Sequence, residues 1–253
     1  MVEQPVVDFT LAPSGNAYAG HAEVQGTARG QMLTGSANVS TAGGALGLSS
    51  IDAQWGALTA QGSAAFASRG VTAELDVNGG LDGVVPGVTG RLAGALALTP
   101  ETVTLDAQIM DARSGELRVR AATLRAHGPF DAIAAQFNLR GRLRQAPLAF
   151  EGTALLDTEG ETALTVEGRG TLADADIFTR APMRAAWREG AVEASLNVAI
   201  EDGVVQATWT ERARSISGTA QIDDAPLAPL AAIWGERASG RIDGRIALAN
   251  NGS

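Results

Sequence analysis

The side chains in this 253-residue chain whose types and spacing could do chemistry are two histidines, an aspartate pair, three scattered acids and a run of arginines. His21 and His127 stand in unrelated contexts. No Ser/His/Asp order, HExxH helix, phosphate-cradling Walker loop or GxGxxG turn after a strand accompanies them, so each reads as a surface or turn residue. Asp174 and Asp176, in Leu172-Ala173-Asp174-Ala175-Asp176, have the oxygen chemistry calcium takes, but the glycine–aspartate nonapeptide repeat of calcium-binding β-rolls is missing. No metal, cofactor or catalytic residue is expected. Asp106, Glu116 and Glu193 fall on the solvent phase of their segments. A carbohydrate-active β-helix would need such acids clustered on one face; here they read as charges that solvate it.

The one local basic zone holds seven arginines: Arg113, Arg118, Arg120, Arg125, Arg140, Arg142 and Arg144. Arg118 with Arg120, and Arg140 with Arg142, take the solvent phase of neighbouring strands. Their first reading is protection of a sheet against unwanted strand pairing; contact with anionic lipid head groups is the second. The net charge of −9 argues against nucleic acid, because phosphate binding needs a basic face.

Bulk composition narrows the class of scaffold. Apolar residues make up 45%, much of it alanine, and aromatics only 4%, which suits a long thin apolar layer better than a thick core. Glycine, at 31 residues, is abundant, as where many strands turn or bend. There is no cysteine, hence no disulfide or thiolate metal site, which fits a periplasmic protein that avoids stray oxidation. Met1-Val2-Glu3-Gln4-Pro5 is acidic and unlike a signal peptide, and no window approaches the roughly 18 to 20 apolar residues of a membrane helix. With the pattern still running at Asn250-Asn251-Gly252-Ser253, residues 1–253 read as one interior fragment without a domain boundary. Residues 1–70 are weakly patterned, with 1–14 an irregular lead-in and Trp55 and Phe66 as isolated anchors; residues 71–253 are clearly patterned.

From Val71 onward apolar and polar residues alternate with period two, the mark of half-buried strands. Val71, Ala73, Leu75 and Val77 oppose Thr72, Glu74, Asp76 and Asn78. Leu92 and Leu96 follow, then Val103, Leu105, Ala107 and Ile109, then Leu117, Val119 and Ala121. Ile133, Ala135, Phe137 and Leu139 oppose Gln136, Asn138 and Arg140. Val192, Ala194, Leu196, Val198 and Ile200 are the clearest series. Turn signals recur at Asn78-Gly79-Gly80, Ser114-Gly115, Thr158-Glu159-Gly160, Glu189-Gly190 and Asp202-Gly203. The chain is organised around Ser215–Leu248. There Ile216, Gly218, Ala220 and Ile222 form a strand, and Asp223 and Asp224 cap a short helix near 226–234 with Leu227, Leu230, Ala231 and Trp234 on one face. A second strand carries Ile242 and Ile246. Gly240–Leu248 echoes Gly90–Leu98, which suggests accretion of similar units.

The expected fold is all-β: an elongated, curved, mostly antiparallel sheet with one apolar and one polar face. Gly94, Gly152, Gly168, Gly218 and Gly244 fall on the apolar phase, where glycine permits bending, and a sheet curled about that face makes an apolar groove.

Ile222-Asp223-Asp224-Ala225-Pro226-Leu227-Ala228-Pro229-Leu230 running into Gly240-Arg241-Ile242-Asp243-Gly244 resembles the C-terminal part of the TamB (translocation and assembly module) family and its AsmA-like relatives. Val88-Thr89-Gly90-Arg91-Leu92-Ala93-Gly94 and the Gly128-Pro129-Phe130-Asp131 turn are similar signs, and the resemblance covers roughly residues 80–250. It implies a taco-shaped β-groove (β-taco) in an inner-membrane-anchored periplasmic protein. Such proteins are linked to phospholipid transport between membranes and to outer-membrane protein assembly, with an Omp85-class barrel as partner through parts of the protein outside this stretch. No catalytic residue is implied.

The function expected is therefore a non-enzymatic groove for phospholipid acyl chains, an assembly scaffold acting by β-augmentation, or both. The alternative is a secreted β-solenoid adhesin with a closed, dry core. The expected lining is Val71, Leu75, Val77, Leu92, Leu96, Val103, Leu105, Ile109, Ile133, Phe137, Leu139, Val192, Leu196, Val198, Ile200, Ile216, Ile222, Ile242 and Ile246.

Overall fold

Period-two alternation becomes antiparallel strand pairing throughout the chain, and the fold is all-β with one short helix. The structure is a computed structural model that describes residues 2–28, 30–82, 85, 87–188, 190–212 and 215–250. Glu189, which the sequence marks as part of a turn, and Asn251–Ser253 lie outside the described residues.

Two compact units divide the chain. The first comprises Met1–Gly115 and Thr123–His127, the second Glu116–Ala122 and Gly128–Ser253. The first unit holds β1 (Val2–Ser14), β2 (Ala17–Ala28), β3 (Gln31–Ala42), β4 (Ala45–Trp55), β5 (Leu58–Ala67), β6 (Gly70–Gly80), β7 (Val88–Leu98) and β8 (Thr102–Ser114). Strand β9 (Leu117–Pro129) is divided between the two units. The second unit adds β10 (Ala132–Leu143), β11 (Ala146–Asp157), β12 (Thr162–Leu172), β13 (Ala175–Arg188), β14 (Ala191–Ile200), β15 (Gly203–Arg212), β16 (Ser215–Pro226), α1 (Leu227–Ala232) and β17 (Arg241–Asn250). In each unit strands pair antiparallel with their neighbours in the sequence, as from β4 to β5 or from β14 to β15. Among the described residues no register joins β1 to β8, so the first unit's sheet is open.

Residues 1–14 are not the irregular lead-in expected from their composition. They form β1, paired with β2 as far as Ser14 opposite Ala17. Small residues have little intrinsic preference for strands, so β1–β5 owe their form to pairing rather than propensity. Gly43 and Gly44 both take positive φ (58° and 81°) in the two-residue turn between Ala42 and Ala45, the geometry a tight hairpin demands. Asn78-Gly79-Gly80, expected to be a turn, instead closes β6, where Gly79 lies opposite Leu58 and Leu92.

Bulges explain where the alternation in the sequence breaks. In β4 the register shifts between Leu48 and Ile51, and Ser50 takes φ 51°. The extra residue returns Ile51 and Ala53 to the face already occupied by Leu46 and Leu48. Asp111 (φ 53°) and Asp224 (φ 46°) do the same in β8 and β16, restoring Ala112 and Ala225 to the buried side. Aspartate tolerates this left-handed conformation better than most residues. In β9 the inward phase passes from Val119 to Ala122. Ala121, expected on the apolar face, is exposed.

Candidate functional site

Residues directly opposite one another across a strand pair share a face of the sheet, so the registers trace continuous rows across each unit. In the first unit one row runs Leu11, Gly20, Val39, Leu48, Ala64, Ala73, Leu98, Val103. The next runs Val7, Val24, Gly35, Ala53, Ala60, Val77, Gly94, Ala107. Leu75, Leu96 and Leu105 form a third, Leu92 and Ile109 join Leu33, Trp55 and Leu58 in a fourth, and Val71 lies beside Phe66 and Leu46. All eight expected lining residues of this unit therefore share one face. The opposite face carries a row of Asp8, Glu23, Ser36, Asp52, Gln61 and Asp76.

A depression in that apolar face lies where the sequence is least patterned. Val7, Phe9, Leu11, Val24, Val39 and Leu48, with neighbours on β1–β4, line its volume of about 470 Å³. Several of them remain open: Phe9 is 68% exposed, Val7 58% and Leu11 39%. Sequence reasoning missed these residues because the small and polar residues that surround them dilute the pattern over residues 1–70. The odd-numbered series Val7, Phe9, Leu11 was nonetheless present as a signal.

In the second unit the rows include Ile133, Leu156, Leu164, Ala185, Ala194 and Trp209, and a second of Leu139, Phe150, Gly170, Ile177 and Ile200. Val198, Val205 and Ile222 form another, as do Leu196, Ala207, Ala220 and Ile246, while Val192 is linked to Ile216 through Glu211. Phe137 lies opposite Gly152, which faces Gly168. A Cβ on Gly152 would fall on the Glu167 carbonyl. The rings of Phe137 and Phe150 stack nearby at 6.0 Å, filling space the glycines leave. At this point the β12–β13 ladder shifts register, and Thr179 takes over: the Gly168 N–H donates to its Oγ1 at 3.0 Å. Ile242 follows the β16 bulge, opposite Ala225.

Part of this second face is covered. Ala146, Leu172, Ala175, Ile177 and Ile200 form a buried cluster against which Leu230, Ala232 and Ile233 pack. Ile200, at 5% exposure, is thus a core residue under α1 rather than open lining. The helix differs from expectation. Its N-cap is Pro226 with no side-chain cap, because Asp223 and Asp224 belong to β16, where Asp223 accepts from Gln221 and Asp224 from Arg241. It buries Pro229 and leans on Leu230, Ala232 and Ile233. Trp234 lies beyond its end, 59% exposed, beneath the Arg144 guanidinium at 5.4 Å.

Among the described residues no charged side chain is fully buried. Thr104 Oγ1 and His127 Nδ1 are 2.8 Å apart, and His21 lies 3.6 Å from Glu23. Asp106 accepts from Arg125 and Glu116 faces Arg144, while Glu193 is exposed. The Glu161 carboxylate accepts from both Arg184 and Arg188 at 3.0 Å, and the Arg184 hydrogen bond above all holds its pKa below the ordinary value. Arg241 donates to Asp202 and Asp224. This lowers the Asp202 pKa and raises that of Arg241, and it pins β17 to the β14–β15 turn. Among the described residues no three metal-ligating side chains converge, and no helix is long and apolar enough to cross a membrane.

No family model matches this chain, nor does any curated protein or solved structure.

Proposed function

We propose that this chain is a non-enzymatic carrier surface whose apolar faces hold the acyl chains of phospholipids. The observation that carries the reading is the first unit's depression, walled by Val7, Phe9, Leu11, Val39 and Leu48, with much of that wall exposed. Exposed contiguous apolar surface marks a binding site in a soluble environment. An acyl tail of about sixteen carbons costs on the order of 10 kcal/mol to expose to water, at roughly 0.8 kcal/mol per methylene. Apolar rows that run on from strand to strand offer a path along which that cost is met continuously, without bond chemistry. Following the resemblance to TamB, the carrier works in the periplasm between two membranes, alongside an Omp85-class barrel and in support of outer-membrane protein assembly. A secreted solenoid adhesin would need this face sealed, and the openness of Phe9 disfavours it.

Photocrosslinking amino acids at Ile51 and at its neighbour Asp52 test the proposal, since the two point to opposite faces. Phospholipid labelling at Ile51 and not at Asp52 is expected. Equal labelling at both positions would remove the carrier reading, and labelling by an unfolded barrel protein instead of lipid would replace it with the scaffold reading.

A further inference from the structure

The basic zone resolves into a specific arrangement. A Cβ on Gly141 of β10 would fall on the Arg118 carbonyl and the Val119 Cα of β9, which sets Arg118 across from Arg142; Arg120 and Arg140 follow where the inward phase of β9 shifts. One like-charged pair thus stands directly opposite, with Arg120 and Arg140 beside it on the exposed phase. Such a pair destabilises a sheet, so fold stability alone does not explain it. All four side chains are exposed, and among the described residues none takes part in an ion pair. Two acids close by in the sequence or on the next strand are engaged elsewhere: Glu116 with Arg144 and Glu151 with Arg169. Edge protection, the first reading of these arginines, does not apply to Arg140 and Arg142. Their strand is paired on one side with β9 and on the other with β11.

The surroundings narrow the partner. Opposite Arg140 and Arg142 on β11 stand Ala149 and Pro147, neither able to neutralise a guanidinium. Arg140 itself borders a depression of about 700 Å³ that also holds Arg169 and the acids Glu151, Asp176 and Glu201, so acidic groups adjoin the patch on that side. Guanidinium forks match phosphate bidentately. At the turn after Arg142, Arg144 sits over the exposed ring of Trp234, and an indole beside cations suits the head-group layer of a bilayer. A soluble anion would draw nothing from that ring. No aromatic stands among the four arginines to stack a nucleic-acid base. The net charge of −9 does not cancel the patch, because charges beyond about 8 Å are screened at physiological ionic strength.

We propose that Arg118, Arg120, Arg140 and Arg142, with Trp234 at their margin, form a docking surface for the anionic phospholipid head groups of a membrane. Within β9 and β10 these arginines alternate with the apolar Val119, Phe137 and Leu139, and the docking proposal does not depend on the acyl-chain reading.

The test is flotation of the full chain with vesicles of phosphatidylcholine alone, or with one part in three of phosphatidylglycerol. Binding is expected only to the second kind, weakened by salt, with a blue shift of Trp234 emission that Trp234→Phe abolishes. At about 1 kcal/mol per cation, Arg118→Gln with Arg140→Gln weakens binding about 25-fold. Arg237→Gln changes nothing, and Arg118→Lys with Arg140→Lys keeps most of the affinity. The glutamine variant unfolds no more readily than the parent, since it relieves like-charge contacts. Equal binding to neutral vesicles would overturn the proposal, as would the same loss from Arg237→Gln. So would displacement by inorganic phosphate at matched phosphate concentration, or by a DNA oligonucleotide. Loss of acyl-chain labelling at Ile51 with vesicle docking intact would instead count against the carrier reading alone.

Discussion

Replacing Val7, Phe9 and Leu11 by Thr, Ser and Thr should separate binding from stability. In the structure these side chains are 58%, 68% and 39% exposed, so they hold back about one and two-thirds side chains of apolar surface from the fold. If an acyl chain covers what is open, at roughly 2 kcal/mol per fully buried side chain the triple variant loses about 3 kcal/mol of lipid binding. That is about two orders of magnitude in affinity. The fold loses much less, because most of this surface is wet whether the chain is folded or not. Fluorescent fatty-acid titration gives the affinity and urea unfolding gives the stability. The reasoning fails if affinity is unchanged. It fails equally if the unfolding midpoint drops in step with affinity, because these side chains would then be core rather than lining.

Ile200→Ala should show the converse partition: about 3 kcal/mol of stability lost under α1, read by urea unfolding, with lipid affinity in the first unit unchanged. Gly152→Ala sets a methyl against the Glu167 carbonyl and should cost about 2 kcal/mol, with amide exchange accelerating first along β11 and β12. Glu161 has a folded pKa below its ordinary 4.5, so its contribution is present above that value and disappears as pH falls through the lower, folded pKa. The parent should therefore lose stability on acidification more steeply than Glu161→Gln, and high salt should shrink the difference in thermal unfolding.

What the sequence determined by itself is the sidedness of its strands. Where Val71–Val77, Val103–Ile109 and Val192–Ile200 alternate without interruption, period two leaves only one way to hide the apolar set, and the registers follow it. The short helix was equally legible in outline, from Pro226 and the leucines after it. Tertiary structure decided what alternation cannot encode. An inserted residue at Ser50, Asp111 or Asp224 flips the phase of everything after it, and only the partner strand shows that the flip is absorbed by a bulge. The walls of the first unit's depression went unread for a different reason: small and polar residues around Val7, Val24 and Val39 dilute the alternation, and only pairing with β2 shows that β1 is a strand. Pairing distance also decided which apolar residues stay open. Ile200 and Phe9 look alike in an alternating string, yet α1 folds back over one while nothing described covers the other.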